Sequence, residues 1–315
     1  MTDSASSYRC PLCSATTSKL AYRFAEGSYV RCTHCQLLSL YPLPNADSLL
    51  DLYDASYYGG SSTEAPNAGD RESDVHCVGA RERPHASAKT EGYGAYAEQR
   101  TARSLSFQRY AASMARQHPG ARVLDVGCAL GYFLKVALEH GLDAYGVDAS
   151  EAAILQIRPE FGSRVRHGTL ADIPDTEHGT YDYVFASDLI EHVPEPRGFV
   201  AEVARLLKPG AKFWGITPNT ASLLAKLSRQ HWVSFKPPEH VILYDKEQIR
   251  RLLAPHFTLV KVSTALQEYP AALVAERLGQ LLGPLGTLAT RAGSALGSRA
   301  LRVPDGNMFV QATKR

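Results

Sequence analysis

The sequence carries almost no net charge: 34 lysines and arginines are offset by 32 acidic residues, which leaves +2 over 315 residues. Proteins that attract nucleic acid or a membrane surface through their overall field have a clear basic excess. The composition disfavours both classes, while it allows a local basic patch. Long apolar runs are missing too. The uncharged stretch 278–290 is interrupted by Pro284 and by glycines, and it is shorter than the roughly eighteen apolar residues that span a bilayer.

The first residues lack the charged-then-apolar pattern of a secretion signal, so we expect a cytoplasmic protein. In a reducing compartment, its six cysteines are not expected to form a disulfide framework. The hydrophobic share of 44% and the charged share of 21% are those of an ordinary globular chain. The chain is long enough to bury a substantial core.

Composition and periodicity divide the chain into three parts. Residues 1–41 contain paired cysteines among short apolar runs, and residues 42–103 are rich in small and charged residues. The second part is predicted to be a linker or insertion that is partly disordered. From residue 104 to residue 315, strand-like runs alternate with helical patterns, which indicates a parallel sheet with right-handed crossovers. A helical insertion is predicted at about 265–304. The expected strands are 122–127, 144–148, 164–167, 181–187, 211–217, 257–263 and 307–313.

Four cysteines form two pairs, Cys10 with Cys13 and Cys32 with Cys35, separated by eighteen residues. A two-residue spacer lets both thiolates of a pair face one ion, and two pairs supply a tetrahedral set. The spacing predicts a zinc ribbon. Because four thiolates leave no position for water, the zinc would be structural. Iron also suits four sulfurs, and a redox dithiol or unligated cysteines are the alternatives.

A run of small residues follows the first strand of the third part: Gly127, Ala129 and Gly131, with Asp125 just before them. Such a turn lets a ligand approach backbone amides at the start of a helix. On its own it also marks dinucleotide sites. The spacing differs from a dinucleotide fingerprint, however, and an acid at 125 repels pyrophosphate but attracts a cationic group. Asp148 ends the next strand, where a carboxylate can accept both ribose hydroxyls.

These segments resemble the first motif and the following acid of the class I S-adenosylmethionine-dependent methyltransferases, a similarity that covers about residues 104–315. It implies a doubly wound, Rossmann-like α/β fold with a seven-stranded, mostly parallel sheet whose last strand is reversed. It also implies S-adenosylmethionine as cofactor and assigns Thr169 and Leu170 to the turn that holds adenine. Thr169 replaces a more frequent acid, and Ala129 replaces the usual middle glycine.

A second resemblance places catalytic candidates. The segment from Tyr181 to Val193 is similar to the family region that frequently ends in Leu-Glu-His-Val, and it assigns Asp188 to the cofactor site. Glu191 and His192 then lie beyond the end of a central strand, where open α/β sheets bind ligands. Histidine suits the removal of a hydroxyl proton, so His192 is the first candidate base. The alternative is that Glu191 and His192 cap or pack the helix and touch only the cofactor.

A later segment, residues 231–244, resembles the aromatic lid of ribbon-bearing methyltransferases that act on sugars and secondary metabolites. It offers His240 as an alternative base, and Trp232 and Tyr244 as walls of an acceptor pocket. The alternative is a packed loop with incidental histidines.

The sequence therefore predicts methyl transfer to a small-molecule acceptor: a sugar, a polysaccharide unit or a natural-product intermediate. One alternative is a zinc-ribbon ribosomal-RNA methyltransferase, disfavoured because the basic residues are scattered. Another is a cofactor-binding module without catalysis. A lipid-quinone or lipid-linked acceptor is suggested only by the apolar stretch 271–300, which we interpret as core or as a homodimer interface. No nucleic-acid partner is expected.

Overall fold

The computed structural model describes residues 8–45, 48, 49, 52, 92–270 and 300–315. Most of the predicted linker, the predicted helical stretch 271–299 and Cys77 lie outside these residues. Among the described helices, none is long and apolar enough to cross a membrane. Two sheets organise the fold, one of four strands and one of seven.

The small sheet is built by the N-terminal part of the chain together with one strand from far along it. Its strands are β1 (Ser18–Phe24), β2 (Gly27–Cys32) and β3 (Leu38–Tyr41), which pair antiparallel in chain order. The fourth strand is β9 (Ile242–Leu243), which pairs with β3 and lies in the predicted lid. The ribbon is therefore joined by backbone pairing to the rest of the protein.

The large sheet has the predicted architecture. Its helices and strands are, in chain order, α1 (Gly92–Gln117), β4 (Arg122–Val126), α2 (Tyr132–Glu139), β5 (Asp143–Asp148), α3 (Glu151–Phe161), β6 (Val165–His167), β7 (Tyr181–Ser187), α4 (Pro196–Leu206), β8 (Leu207–Pro218), α5 (Leu223–Ser228), α6 (Lys246–Leu253), β10 (Phe257–Pro270) and β11 (Ala300–Lys314). The strand order is β10-β11-β8-β7-β4-β5-β6. Strands β4 to β8 run parallel, while β11 runs antiparallel to both neighbours. The predicted fold class, including the reversed last strand, is confirmed.

Both faces of the sheet are buried, as expected of parallel strands between helical layers. Because side chains alternate along a strand, Val123 of β4 packs into one hydrophobic cluster while Leu124 and Val126 pack into the other. The first cluster also contains Phe107 of α1. The second cluster continues into the ribbon, for example to Leu37. The ribbon and this face of the large domain therefore share one core.

Two predicted boundaries differ from the structure. Helix α1 begins at Gly92, inside the stretch assigned to the linker, and so extends the domain before residue 104. The predicted helical insertion from 265 to 304 is wrong at both ends, because 265–270 and 300–304 are strand. Pairing of β10 with β11 continues to Pro270 and Ala300. A long antiparallel ladder satisfies the backbone groups of both segments, which local helical propensity did not reveal.

Candidate functional site

The four paired cysteines meet at one point of the ribbon. Their sulfur atoms all lie within 4.8 Å of one another, with Sγ–Sγ distances of 3.5 Å for Cys10 and Cys35 and 3.6 Å for Cys13 and Cys32. These spacings suit sulfurs about 2.3 Å from a central tetrahedral ion. No carboxylate or imidazole belongs to the cluster in the described residues.

The two cysteine pairs are held by matching turns. The amide of Ser14 donates to the carbonyl of Cys10, and the amide of Gln36 donates to the carbonyl of Cys32. Ser14 and Gln36 have left-handed φ values of 61° and 62°. Two turns of the same shape, each presenting a pair of sulfurs to a shared centre, fit a structural zinc ion. His34 is exposed and lies outside the cluster.

The small residues predicted for the cofactor turn are required by its shape. Gly127 and Gly131 have φ values of 71° and 70°, in the left-handed region that favours glycine. A Cβ atom on Gly131 would lie 2.7 Å from the Phe161 ring, and one on Gly127 would lie 3.0 Å from Leu189. The packing of the turn therefore requires small residues even without a ligand, and helix α2 begins directly after Gly131.

Ala129 replaces a glycine at a position that still needs glycine's conformation. Its φ is 45°, and a left-handed alanine is strained by about 1–2 kcal/mol. Ala129→Gly removes this strain, while the extra freedom of the unfolded chain offsets about 0.4–1 kcal/mol of the gain. We expect a net stabilisation of roughly 0.5–1 kcal/mol, or a melting temperature higher by about 2 °C, measured by calorimetry.

The matched control for this prediction is Ala137→Gly, in the interior of helix α2. There glycine lowers helix stability by about 1 kcal/mol. A melting temperature that falls in both variants contradicts the strain at Ala129.

Two buried carboxylates stand beside the cofactor turn. Asp125 and Asp148 are 4% and 8% exposed, on the adjacent strands β4 and β5. Asp148 accepts hydrogen bonds from the amides of Ala129 and Ser150, both at 2.8 Å, so one carboxylate secures the turn and the start of α3. Burial raises the pKa of both acids, and the neighbouring Asp148 raises the pKa of Asp125 further. Such a pair favours a cationic ligand, because a positive charge relieves their repulsion.

The predicted adenine turn follows β6. Thr169 caps a short 3-10 helix over Leu170–Asp172, and its hydroxyl donates to the Asp172 carboxylate at 2.9 Å. Its side chain is therefore engaged locally, while Leu170 is buried. An acid, Asp172, thus lies three residues after Thr169 at the same turn.

The catalytic candidates from two distant segments come together. Ligand-type atoms of Glu191, His192 and His240 lie within 4.8 Å of one another. The two imidazole rings stand 4.7 Å apart between centroids and at 87°. Glu191 is fully buried, and its carboxylate accepts a bond from the Thr217 hydroxyl at 2.9 Å. The structure thus places His192 and His240 in one site.

The hydrogen bonds of the two imidazoles define their chemistry. In each ring, Nδ1 donates to a backbone carbonyl, that of Glu239 for His192 and that of Ser234 for His240. Each neutral ring then carries its lone pair on Nε2. Burial lowers the pKa of His192 to about 4. Burial also lowers the pKa of His240 well below its usual range, with further lowering from His192 and Lys236. Both rings are therefore neutral at pH 7.

The sequence missed two residues of this site. Thr217, near the end of β8, and Asn219, just after it, are both buried, and the Thr217 hydroxyl donates to the Glu191 carboxylate. The signal that could have found them is a pair of polar residues at the carboxyl end of a buried strand. Asp188 has a left-handed φ of 52° and receives a bond from the Ser187 hydroxyl.

The predicted pocket walls, by contrast, are core residues. Trp232 and Tyr244 are 3% and 0% exposed, because the lid folds against the ribbon instead of standing at an open cleft. Trp232 packs edge-to-face on Phe235.

Comparison with known proteins covers this same region. The family model described as "Methyltransferase domain" matches residues 94–256, more than half of the chain. The match begins near the start of α1 and ends after α6. It therefore contains the cofactor turn, both buried acids and the histidine pair.

Curated relatives match a shorter stretch. The ubiquinone biosynthesis O-methyltransferase of Hahella chejuensis is 36% identical over 106 residues, which are 32% of this chain and 44% of that protein. A probable S-adenosylmethionine-dependent methyltransferase of Mycolicibacterium smegmatis is 33% identical over 107 residues, 34% of this chain and 41% of its own length. The chain spans about half the length of the curated relatives it matches.

Among solved structures, a chain from the complex between the Haloferax volcanii Trm112 methyltransferase activator and a methyltransferase superposes with a TM-score of 0.50. The superposition covers 70% of this chain and 94% of that one, at 17% sequence identity. At this identity the likeness concerns the fold alone.

Proposed function

The chain belongs to the methyltransferase-domain family, and from that premise we propose that it transfers a methyl group from S-adenosylmethionine to a small-molecule acceptor. The observation that carries the proposal is the pair of buried acids, Asp125 and Asp148, beside a glycine-rich turn at the rim of a parallel sheet. In open α/β sheets this rim binds ligands.

The two acids have different tasks in this proposal. Asp148 already accepts two backbone amides and has further lone pairs on the same oxygens, which suit ribose hydroxyls. Asp125 lies deeper, and its charge favours the cationic methionine part of the cofactor. We propose that Thr169 and Leu170 contact the adenine of the cofactor. Asp188 is proposed to contact the cofactor at the edge of the sheet, near the methyl group.

The histidine pair supports a hydroxyl acceptor. In the proposed step the acceptor proton passes to Nε2 of His192, and the oxygen electron pair forms a bond to the methyl carbon. The carbon–sulfur electrons return to sulfur, which leaves S-adenosylhomocysteine. The His240 ring lies beside His192. The Glu191 carbonyl accepts a hydrogen bond from the Val241 amide and so orders the segment that carries His240. Most of the acceleration would come from placing the reacting atoms in line.

For the acceptor we propose a sugar, a polysaccharide unit or a natural-product hydroxyl, because the lid resembles that of sugar-modifying enzymes. A phenolic or quinol hydroxyl is the second candidate, favoured by the similarity to proteins named ubiquinone biosynthesis O-methyltransferases. Labelled methyl transfer to a panel of nucleotide sugars, phenols, quinols and RNA separates these acceptor classes.

We further propose that Cys10, Cys13, Cys32 and Cys35 hold one structural zinc ion. Their closed set of four sulfurs supports this, because it leaves no position for water or substrate.

Neutralising either buried acid tests the cofactor site. Asp125→Asn and Asp148→Asn are each expected to weaken S-adenosylmethionine binding by about 10-fold to 100-fold, since each removes a charged hydrogen-bonding partner. Calorimetry measures the affinity. Asp143→Asn is the matched control, because this acid lies at the opposite end of β5 and forms an ion pair with Arg164.

Binding should also release protons. Burial raises the pKa of both Asp125 and Asp148, while a cationic ligand favours their ionised forms, so binding is expected to lower these pKa values. Affinity should therefore rise with pH through the raised pKa values. No binding heat at millimolar cofactor, in the wild type and both variants, rules out the proposed function.

A further inference from the structure

The ribbon and the proposed active site are connected by one segment, residues 240–244, which we call the bridging segment. On one side, the Leu40 amide donates to the Val241 carbonyl at 2.8 Å, and β3 pairs with β9. On the other side, Tyr244 forms a bridge with Asn219, directly after β8. Residues 241–244 are fully buried. The bridging segment is therefore hydrogen-bonded both to the ribbon and to the large domain.

One peptide unit of this segment is held at both of its polar atoms. The carbonyl of His240 accepts a bond from the Tyr29 hydroxyl at 2.5 Å. The amide of the same peptide, that of Val241, donates to the Glu191 carbonyl at 2.8 Å. The peptide thus links a ribbon side chain to the residue that directly precedes His192.

Tyr29 itself is rigidly placed. It is fully buried, and its ring packs between Phe24 and Phe235, with centroids 5.9 Å and 5.0 Å away. Burial raises the pKa of its hydroxyl, which favours the protonated form that donates the hydrogen bond. The hydrogen of the Tyr29 hydroxyl can still rotate, and its bond to the His240 carbonyl sets its direction.

His240 depends on this peptide for its direction. Its amide donates to the Lys236 carbonyl at 2.9 Å, and its Nδ1 donates to the Ser234 carbonyl at 2.8 Å. These bonds fix the loop before His240. The His240 carbonyl is held instead by the Tyr29 hydroxyl. A rotation of that peptide would tilt the ring and change its edge-on approach to His192.

We infer that Tyr29 is a positioning residue for methyl transfer, which holds the His240 peptide and so aims the His240 imidazole at His192. The inference rests on the proposed function, since it assigns the ribbon to the acceptor side of that same site. It gives the ribbon a task beyond folding: the ribbon supplies one of the hydrogen bonds that order the proton-accepting pair.

Tyr29→Phe tests this role, because it keeps the ring and removes only the hydroxyl. We expect kcat to fall by at least about tenfold, as for a misplaced catalytic group. The KM for S-adenosylmethionine and the zinc content should stay unchanged. Tyr22→Phe is the matched control. The Tyr22 ring also packs on Phe235, at 4.5 Å, but among the described residues its hydroxyl makes no bond to the bridging segment.

Two readouts do not depend on turnover. The Val241 amide should exchange its hydrogen faster in Tyr29→Phe than in Tyr22→Phe, and the nitrogen NMR signal of the His240 ring should shift only in the former. Unchanged kcat with unchanged exchange in Tyr29→Phe overturns the inference, as does an equal loss in Tyr22→Phe. If the wild type methylates no acceptor, the proposed function fails, while exchange and NMR still decide whether Tyr29 orders His240.

Discussion

Replacing Cys10 and Cys32 together with serine is expected to release the metal and to unfold the ribbon, the largest change in stability that we predict. Structural zinc contributes on the order of 10–16 kcal/mol to small domains of this kind. The ribbon shares a core with the large sheet, in which Leu37, Leu40 and Leu243 are buried. Its loss should therefore also lower the melting temperature of the rest of the chain. Elemental analysis and calorimetry measure the two effects.

Cys128→Ser is the control for this experiment, because Cys128 is a buried thiol in the cofactor turn, outside the sulfur cluster. We expect about one zinc per chain both in this variant and in the wild type. A wild type without zinc, or a double variant that keeps its zinc, would refute the site, and a metal-free double variant that melts like the wild type would refute its structural role.

Replacing His192 with alanine is expected to lower kcat by about 10²-fold to 10⁴-fold, the range for loss of a general base. The dissociation constant of S-adenosylmethionine should remain close to that of the wild type, since the ring lies on the acceptor side. His240→Ala should lower kcat less if it only supports His192. Rapid-quench kinetics with a labelled methyl group measure the chemical step.

His140→Ala is the control for the histidine variants, because it lies at the end of α2 and bonds Gln108, away from the site. If turnover survives at both His192→Ala and His240→Ala, neither ring is the base, and transfer proceeds by positioning alone.

The pH profile gives an independent check on His192. Because burial holds the pKa of His192 at about 4, the ring is already neutral and ready to accept a proton at pH 7. As the pH is lowered, kcat/KM should therefore decrease with a midpoint near pH 4 and not near 6.5.

The lowered pKa of His192 also affects stability. Between pH 4 and 6.5, this histidine is protonated in the unfolded chain but not in the folded chain. Stability is thus expected to fall as the pH drops through that window.

Much of this protein was predictable from local patterns. The two cysteine pairs, the alternation of strands with helices and the acids at the ends of β4 and β5 are short-range features, each read within a few residues. The fold class followed from them, because alternating strands and helices have few ways to bury both faces of a sheet. The boundaries near 265 and 304 were wrong, since a long ladder between β10 and β11 is stabilised by its partner strand and not by its own composition.

What the sequence alone determined was the chemical inventory: two pairs of cysteines, two acids at a glycine-rich turn, and histidines in two separate segments. The tertiary structure decided how these groups act together. Tyr29 and His240 are 211 residues apart in the chain, yet they share a hydrogen bond, and His192 meets His240 in a segment that bonds both to the ribbon and to Glu191. Contacts of this kind depend on packing between distant segments, which leaves no periodic signal in either segment.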